Sequence, residues 1–134
     1  MPAIDQGTAI MLLNGLTAVG SFTATSSPLK LRLMVNAPTA TVDGTELSGT
    51  GYTALGTAIT FASASGTSTG AVAANTNSIT WTNGGSSAWS IAGLEIWDAT
   101  PTRKFYGLWS NQPLVIGVGS PFTVAIAALG ISIP

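Results

Sequence analysis

From Leu29 onward the chain alternates. Leu29, Leu31, Leu33 and Val35 fall on one side of an extended backbone, and Lys30, Arg32 and Met34 fall on the other. Patterning of period two belongs to a β-strand with one buried and one exposed face. Short extended stretches then recur near Tyr52–Leu55, Ala58–Ser63, Ser78–Thr82, Trp89–Trp97, Lys104–Ser110, Leu114–Val118 and Phe122–Ile133, the last divisible at Gly130. Clusters of Gly, Ser, Thr and Asn separate them, and those residue types supply turns. Many short strands at this spacing predict an all-β fold: a β-sandwich or jelly-roll-like single domain over residues 29–134. With 134 residues the chain has one domain's length, and no second domain, linker or internal repeat is visible.

Residues 1–28 read differently. Asp5 can cap a helix, and Ala9, Leu12, Leu13 and Leu16 recur at helical spacing. Asn14-Gly15 and Gly20 would end that helix early, so the segment is a short helix plus loop or an extended arm. Ile10, Leu12, Leu13 and Leu16 are candidate contact residues. The low-complexity stretch 64–76 is either a mobile surface loop or one that orders against a neighbour.

The residue inventory excludes much chemistry. There is no His and no Cys, which removes disulfides, thiolate chemistry, His-centred general base catalysis and the usual zinc and haem ligands. Five carboxylates remain: Asp5, Asp43, Glu46, Glu95 and Asp98. Glycosidase chemistry needs two of them across a cleft. Asp43 and Glu46 are neighbours, but in a Gly/Thr turn with no apolar stretch to raise one pKa, so turn and cap roles explain them better. A calcium site there would need several more oxygen ligands. Gly49-Thr-Gly51 is too short for a nucleotide loop. No catalytic residue, cofactor or metal is expected.

Glu95 interrupts a strand-like run, Ile91 to Trp97, and must find water or a partner. Residues 98–103 read as a hairpin loop. Pairing Asp98 with Arg103 would set Trp97 opposite Lys104 and Glu95 opposite Tyr106. Among the four tryptophans, Trp89 and Trp97 share parity with Ile91 and would line one face. Trp89, Trp97 and Trp109 are therefore candidate interface residues, with core packing and sugar stacking as the competing roles.

Charge points to company. Four basic and five acidic residues make up 7% of the chain, against about a quarter in ordinary domains. There is no basic stripe for nucleic acid and no apolar run long enough to span a membrane. The N-terminus lacks the basic region of a secretory signal, which reads as a soluble, cytoplasmically made protein. A dispersed monomer normally keeps a charged surface. The expectation is a surface covered by copies of itself, as a dimer or trimer, or by a larger partner.

The order of motifs carries a resemblance. Gly44-Thr-Glu-Leu-Ser-Gly-Thr-Gly-Tyr52 and Ile59-Thr-Phe-Ala62 come first; Asn77-Ser-Ile-Thr-Trp81, Ala92-Gly-Leu-Glu-Ile-Trp-Asp98 and Phe105-Tyr-Gly-Leu108 follow; the segment Phe122–Ile133 closes the series. Across roughly residues 29–133 this resembles small β-rich virion structural proteins of tailed bacteriophages, often described as tail fibre or minor tail proteins. The resemblance implies a structural module without catalytic residues, bound to other virion proteins. Low charge and an apolar N-terminus favour a capsid decoration, or cement, protein on the major capsid protein. A minor tail or tail fibre component, with host-glycan binding through tryptophan, is the alternative.

Overall fold

A computed structural model describes residues 3–21 and 23–133. Met1, Pro2, Phe22 and Pro134, which fall in the expected arm, loop and domain end, lie outside the described residues. In chain order the elements are β1 (Ala3–Ile4), α1 (Gln6–Leu16), β2 (Leu29–Met34), β3 (Thr57–Ile59), β4 (Ser65–Thr67), β5 (Gly70–Ala74) and β6 (Ile79–Thr82). There follow β7 (Trp89–Ile91), β8 (Gly93–Trp97), β9 (Arg103–Leu108), β10 (Leu114–Ile116), β11 (Pro121–Val124) and β12 (Gly130–Ile133). One antiparallel sheet has the order β1-β9-β8-β2-β3, and another has β12-β5-β4; β10 pairs with β7 and β11 with β6. The fold is all-β, with one short helix.

The core lies between these layers. Leu31 and Leu33 of β2 and Leu94 and Ile96 of β8 face Ile79, Trp81, Trp89 and Ile91 in one contiguous cluster. Trp81 stacks on Phe122 at 6.1 Å between ring centroids, and its indole N–H donates to Thr57 Oγ1 at 3.1 Å. Burying each such apolar side chain contributes roughly 1.5–3 kcal/mol. The arrangement is sandwich-like.

The strand at Leu29 forms where the alternation places it, but its second face is not open. Met34 is 1% exposed while Val35 is 42% exposed. The segment 36–46 folds back over the outer face of β2, β8 and β9. Val35 N–H donates to Thr45 O, Leu47 N–H donates to Leu33 O, and Gly44 sits so close that a Cβ there would lie 2.8 Å from Met34 Cγ.

Four further expectations change. Trp89–Trp97 is two strands rather than one. At Ala92 the chain crosses between layers, its N–H donating to Met34 O and its carbonyl accepting from Trp109 N–H. Gly93 then packs where a Cβ would meet both Gly107 O and Pro38 Cδ at 2.6 Å. The crossing shifts the parity, so Trp89 and Ile91 face the core while Trp97 goes to the opposite side of β8. Residues 64–76 are not a loose loop: β4 and β5 form a hairpin, and β5 pairs with β12 from Ala71↔Ile133 to Ala74↔Gly130. The segment Tyr52–Leu55 is turn, because Leu55 (φ 63°) and Gly56 (φ 83°) break the extended path. In the β8–β9 hairpin Glu95 does face Tyr106, but Trp97 faces Arg103 and Lys104 is an extra residue. The extra residue makes a β-bulge.

Candidate assembly surface and the ion-pair knot beneath it

Every charged side chain except Lys30 is in an ion pair among the described residues. Lys104 meets Asp98 at 3.4 Å, and Arg32 meets Glu46 at 3.7 Å. The others converge on Arg103, which is 5% exposed. Its Nη2 donates to Asp5 Oδ1 at 2.7 Å and to Ala40 O at 3.1 Å. Its Nη1 donates to Glu95 Oε1 at 3.0 Å and to Val42 O at 2.9 Å. Its Nε donates to Asp5 Oδ1 at 3.0 Å, with Asp43 at 3.2 Å. Burial works against the Arg103 charge, but the hydrogen bonds it donates to the Asp5 and Glu95 carboxylates, and their negative charge, outweigh it, so its pKa is raised above the ordinary guanidinium range.

Glu95 is wholly buried and still fully partnered. Its Oε1 accepts from Gly44 N–H at 2.7 Å as well as from Arg103, and its Oε2 accepts from Trp97 Nε1–H at 2.8 Å. Asp98 is held similarly. Burial pushes its carboxyl up, but Thr100 Oγ1–H, the N–H groups of Thr102 and Thr100, and the Lys104 ammonium bring its pKa below the ordinary 3.8. Tyr52 goes the other way. Burial raises its pKa well above the normal range, and the Glu46 carboxylate that accepts its O–H adds to the rise; the Leu33 N–H donating to its oxygen only partly offsets this.

The knot has a structural result: it fastens the N-terminal helix. Asp5 is the N-cap of α1, its Oδ2 accepting from Gly7 N–H at 3.0 Å while Oδ1 holds Arg103. Its own N–H donates to Lys104 O at 2.8 Å, and β1 just before it pairs with Tyr106 and Phe105. The helix continues through Asn14-Gly15 to Leu16, further than its glycine suggested. It closes with Val19 and Gly20 N–H groups on Asn14 O and Ala18 at φ 58°.

No residue of α1 is buried. Leu12 turns inward over Ile4, Phe105 and Ile133, above apolar cavities of about 220 and 180 Å³. Ile10 (55% exposed), Leu13 (60%) and Leu16 (77%) stay largely exposed, Leu13 and Leu16 also edging the smaller cavity, and exposed Val19 follows. The helix carries no ionisable residue. It thus presents a continuous apolar, uncharged ridge. Ridges of this kind mark contact surfaces on soluble proteins.

The tryptophans do not join this surface. Trp89 is 5% exposed and belongs to the core, set edge-on to Tyr52, so it is not an interface residue here. Trp109 is half-buried, edge-on to Phe122 at 5.4 Å, its buried indole N–H without a hydrogen-bond partner among the described residues. Trp97 is half-buried, with the Arg32 guanidinium 4.3 Å from its ring centroid. Of the two neighbouring carboxylates in the Gly/Thr turn, Asp43 serves Arg103 and Glu46 serves Arg32 and Tyr52. No group of three metal-ligating side chains occurs among the described residues. The sequence pointed to Ile10, Leu12, Leu13 and Leu16 and to the need of Glu95 for a partner, but not to the Asp5–Arg103–Glu95 knot, because Asp5 lies 98 residues from Arg103 in the chain. Compared with models of known families and with characterised proteins, the chain matches none.

Proposed function

We propose that this chain is a structural protein of a tailed-phage virion, seated on the outside of the capsid as a decoration (cement) protein that braces shell subunits through repeated contacts. One observation carries the reading: an uncharged apolar helix with no buried residue lies on the outside of the domain, tied at its start by the β1–β9 pairing and by the Asp5–Arg103 ion pair. Covering a leucine of that ridge contributes roughly 1.5–3 kcal/mol, and symmetric repetition multiplies a modest patch into firm attachment. The resemblance to virion structural proteins supports the same reading. The tail alternative with glycan binding is less well supported, since Trp89 is internal and one face of Trp97 is taken by Arg32.

The test is direct. Antibody labelling of purified virions should mark the head; label confined to the tail overturns the capsid assignment. Purified protein should rebind heads that lack it, and Leu13→Glu with Leu16→Glu should lower occupancy by tenfold or more while leaving the circular dichroism spectrum unchanged. Equal rebinding by the variant would remove α1 from the contact.

A further inference from the structure

We propose that Asn14-Gly15 is a site of spontaneous covalent modification: the Asn14 side-chain amide is lost by deamidation, at a rate set by how often α1 opens. Asparagine followed by glycine suits this chemistry, because glycine has no side chain to hinder its nitrogen. The Gly15 nitrogen gives up its proton and attacks Asn14 Cγ. A C–N bond forms, the Cγ–Nδ2 bond breaks, and the departing NH₂ group takes up a proton and leaves as ammonia. Water then opens the resulting imide ring at either carbonyl. One product is aspartate at position 14. The other is isoaspartate, in which the main chain runs through the side-chain carbon. Nothing is oxidised or reduced, and water is the one co-reactant.

Of the asparagines only Asn14 and Asn83 precede glycine, and the fold treats the two oppositely. Asn83 is wholly buried and clamped at each atom the reaction needs. Its Nδ2 donates to Ser87 O at 2.9 Å and Ile116 O at 3.0 Å, and its Oδ1 accepts from Gly85 N–H at 3.0 Å. The nitrogen that would attack, Gly84 N–H, donates to Thr50 O at 2.9 Å. Asp43-Gly44 could close the same ring by losing water, but its Gly44 N–H is held by Glu95 Oε1 at 2.7 Å. Asn14 is half-buried, and among the described residues no hydrogen bond holds its side-chain amide. Its main-chain carbonyl alone is engaged, accepting from Val19 N–H at 3.0 Å and Gly20 N–H at 3.1 Å. The remaining guard is the helix itself, whose ladder occupies the Gly15 N–H and whose dihedrals keep that nitrogen away from Cγ. With no buried residue, α1 is a weak guard.

The products alter the ridge. α1 carries no ionisable residue, and either product places a carboxylate one turn from Ile10. That carboxylate sits in the last turn, where the helix dipole disfavours negative charge. Isoaspartate also displaces the carbonyl on which Val19 and Gly20 close the helix. On the capsid reading, the reaction limits how long unassembled protein can still bind; the reaction itself does not depend on that reading.

The test is to age the full-length protein in mildly alkaline buffer, digest it, and follow both asparagine peptides by mass spectrometry. The Asn14 peptide should gain the mass that replaces NH₂ by OH and show isoaspartate, while the Asn83 peptide stays intact. In urea-unfolded protein both should react alike. Asp5→Ala, which removes the N-cap, should speed the reaction at Asn14 by at least about fivefold and leave Asn83 unchanged. Gly15→Ala, a better helix former with a hindered nitrogen, should slow it by at least about fivefold. An Asn14 that stays intact while the unfolded control reacts would overturn the inference, as would Asn83 reacting in step with it. A rate indifferent to both variants would separate the chemistry from α1 and overturn it too. None of these measurements uses phage heads, so the deamidation site and the capsid reading fail independently.

Discussion

Arg103 shows how much one side chain can decide. All three of its nitrogens donate within the protein, to Asp5, Ala40, Val42 and Glu95. Truncating it would strand the wholly buried Glu95 carboxylate, and breaking a buried pair from one side costs on the order of 3–5 kcal/mol. Arg103→Ala should therefore lower the urea midpoint sharply, whereas Lys30→Ala, which breaks no ion pair, should leave it nearly unchanged. If the two variants unfold alike, the Arg103 ion pairs do not contribute to stability. Titration supplies a second check. The Asp98 carboxyl has a lowered folded pKa, so the stability it contributes is full above its ordinary 3.8 and is lost as pH falls through the folded value. Tyr52 has a raised folded pKa, so its contribution is full below the ordinary 10.0 and is lost as pH rises above that. Denaturation curves should show both flanks: Asp98→Asn should flatten the acid one, and Tyr52→Phe the alkaline one. At this scale the sequence was half legible. Glu95 inside an apolar run announced that it needed a partner, but Asp5 and Gly44 could not be named, because only the fold brings residues so distant in sequence together; Trp97, two residues on, was near enough but nothing local showed its indole N–H turning back to the carboxylate.

At the scale of elements, local signals were read where local forces rule. Asp5 as cap and the spacing of Leu12, Leu13 and Leu16 found α1, since a helix is specified by neighbours in sequence. The period-two run found β2 for the same reason. What escaped were events caused by tertiary packing. The crossover at Ala92 follows from Gly93 being pressed between Gly107 and Pro38, and the covered outer face of β2 follows from the path of residues 36–46. The hairpin in 64–76 was hidden because its Gly/Ala/Ser/Thr sequence has no strong strand preference; pairing with β12 orders it. The helix should also be the least stable element, since none of its residues is buried and cavities lie beneath it. Asp5→Ala removes both the cap and the Arg103 tie. Loss of the cap alone costs about 1 kcal/mol, so α1 amides should exchange at least fivefold faster while those of β2 and β8 stay slow. Uniform acceleration across the sheets would show α1 to be part of one cooperative unit.

For the whole molecule, the scarcity of charge means more than the composition suggested. A chain with 7% charged residues has also turned most of those charges inward, into pairs. Its surface is left to Thr, Ser, Asn and scattered aliphatic side chains, with the α1 ridge as its most concentrated apolar feature. The interior and the ridge are nevertheless separable. The core cluster of buried residues begins at Leu31 and takes nothing from the N-terminal segment. Deleting residues 1–20 should therefore leave the β domain folded. It should not leave it untouched: Arg103 loses Asp5, keeping Glu95 and Asp43, and a lost charge-assisted hydrogen bond costs about 1.5–3 kcal/mol. Phe105 also loses the cover of Ile4 and Leu12. The expected result is a cooperative urea transition at a lower midpoint, with the near-ultraviolet signal of Trp81 and Trp89 preserved, and, on the proposed capsid role, a protein that fails to rebind phage heads. An unfolded truncation would place the segment inside the cooperative core, and a truncation that still coats heads would move the contact away from α1.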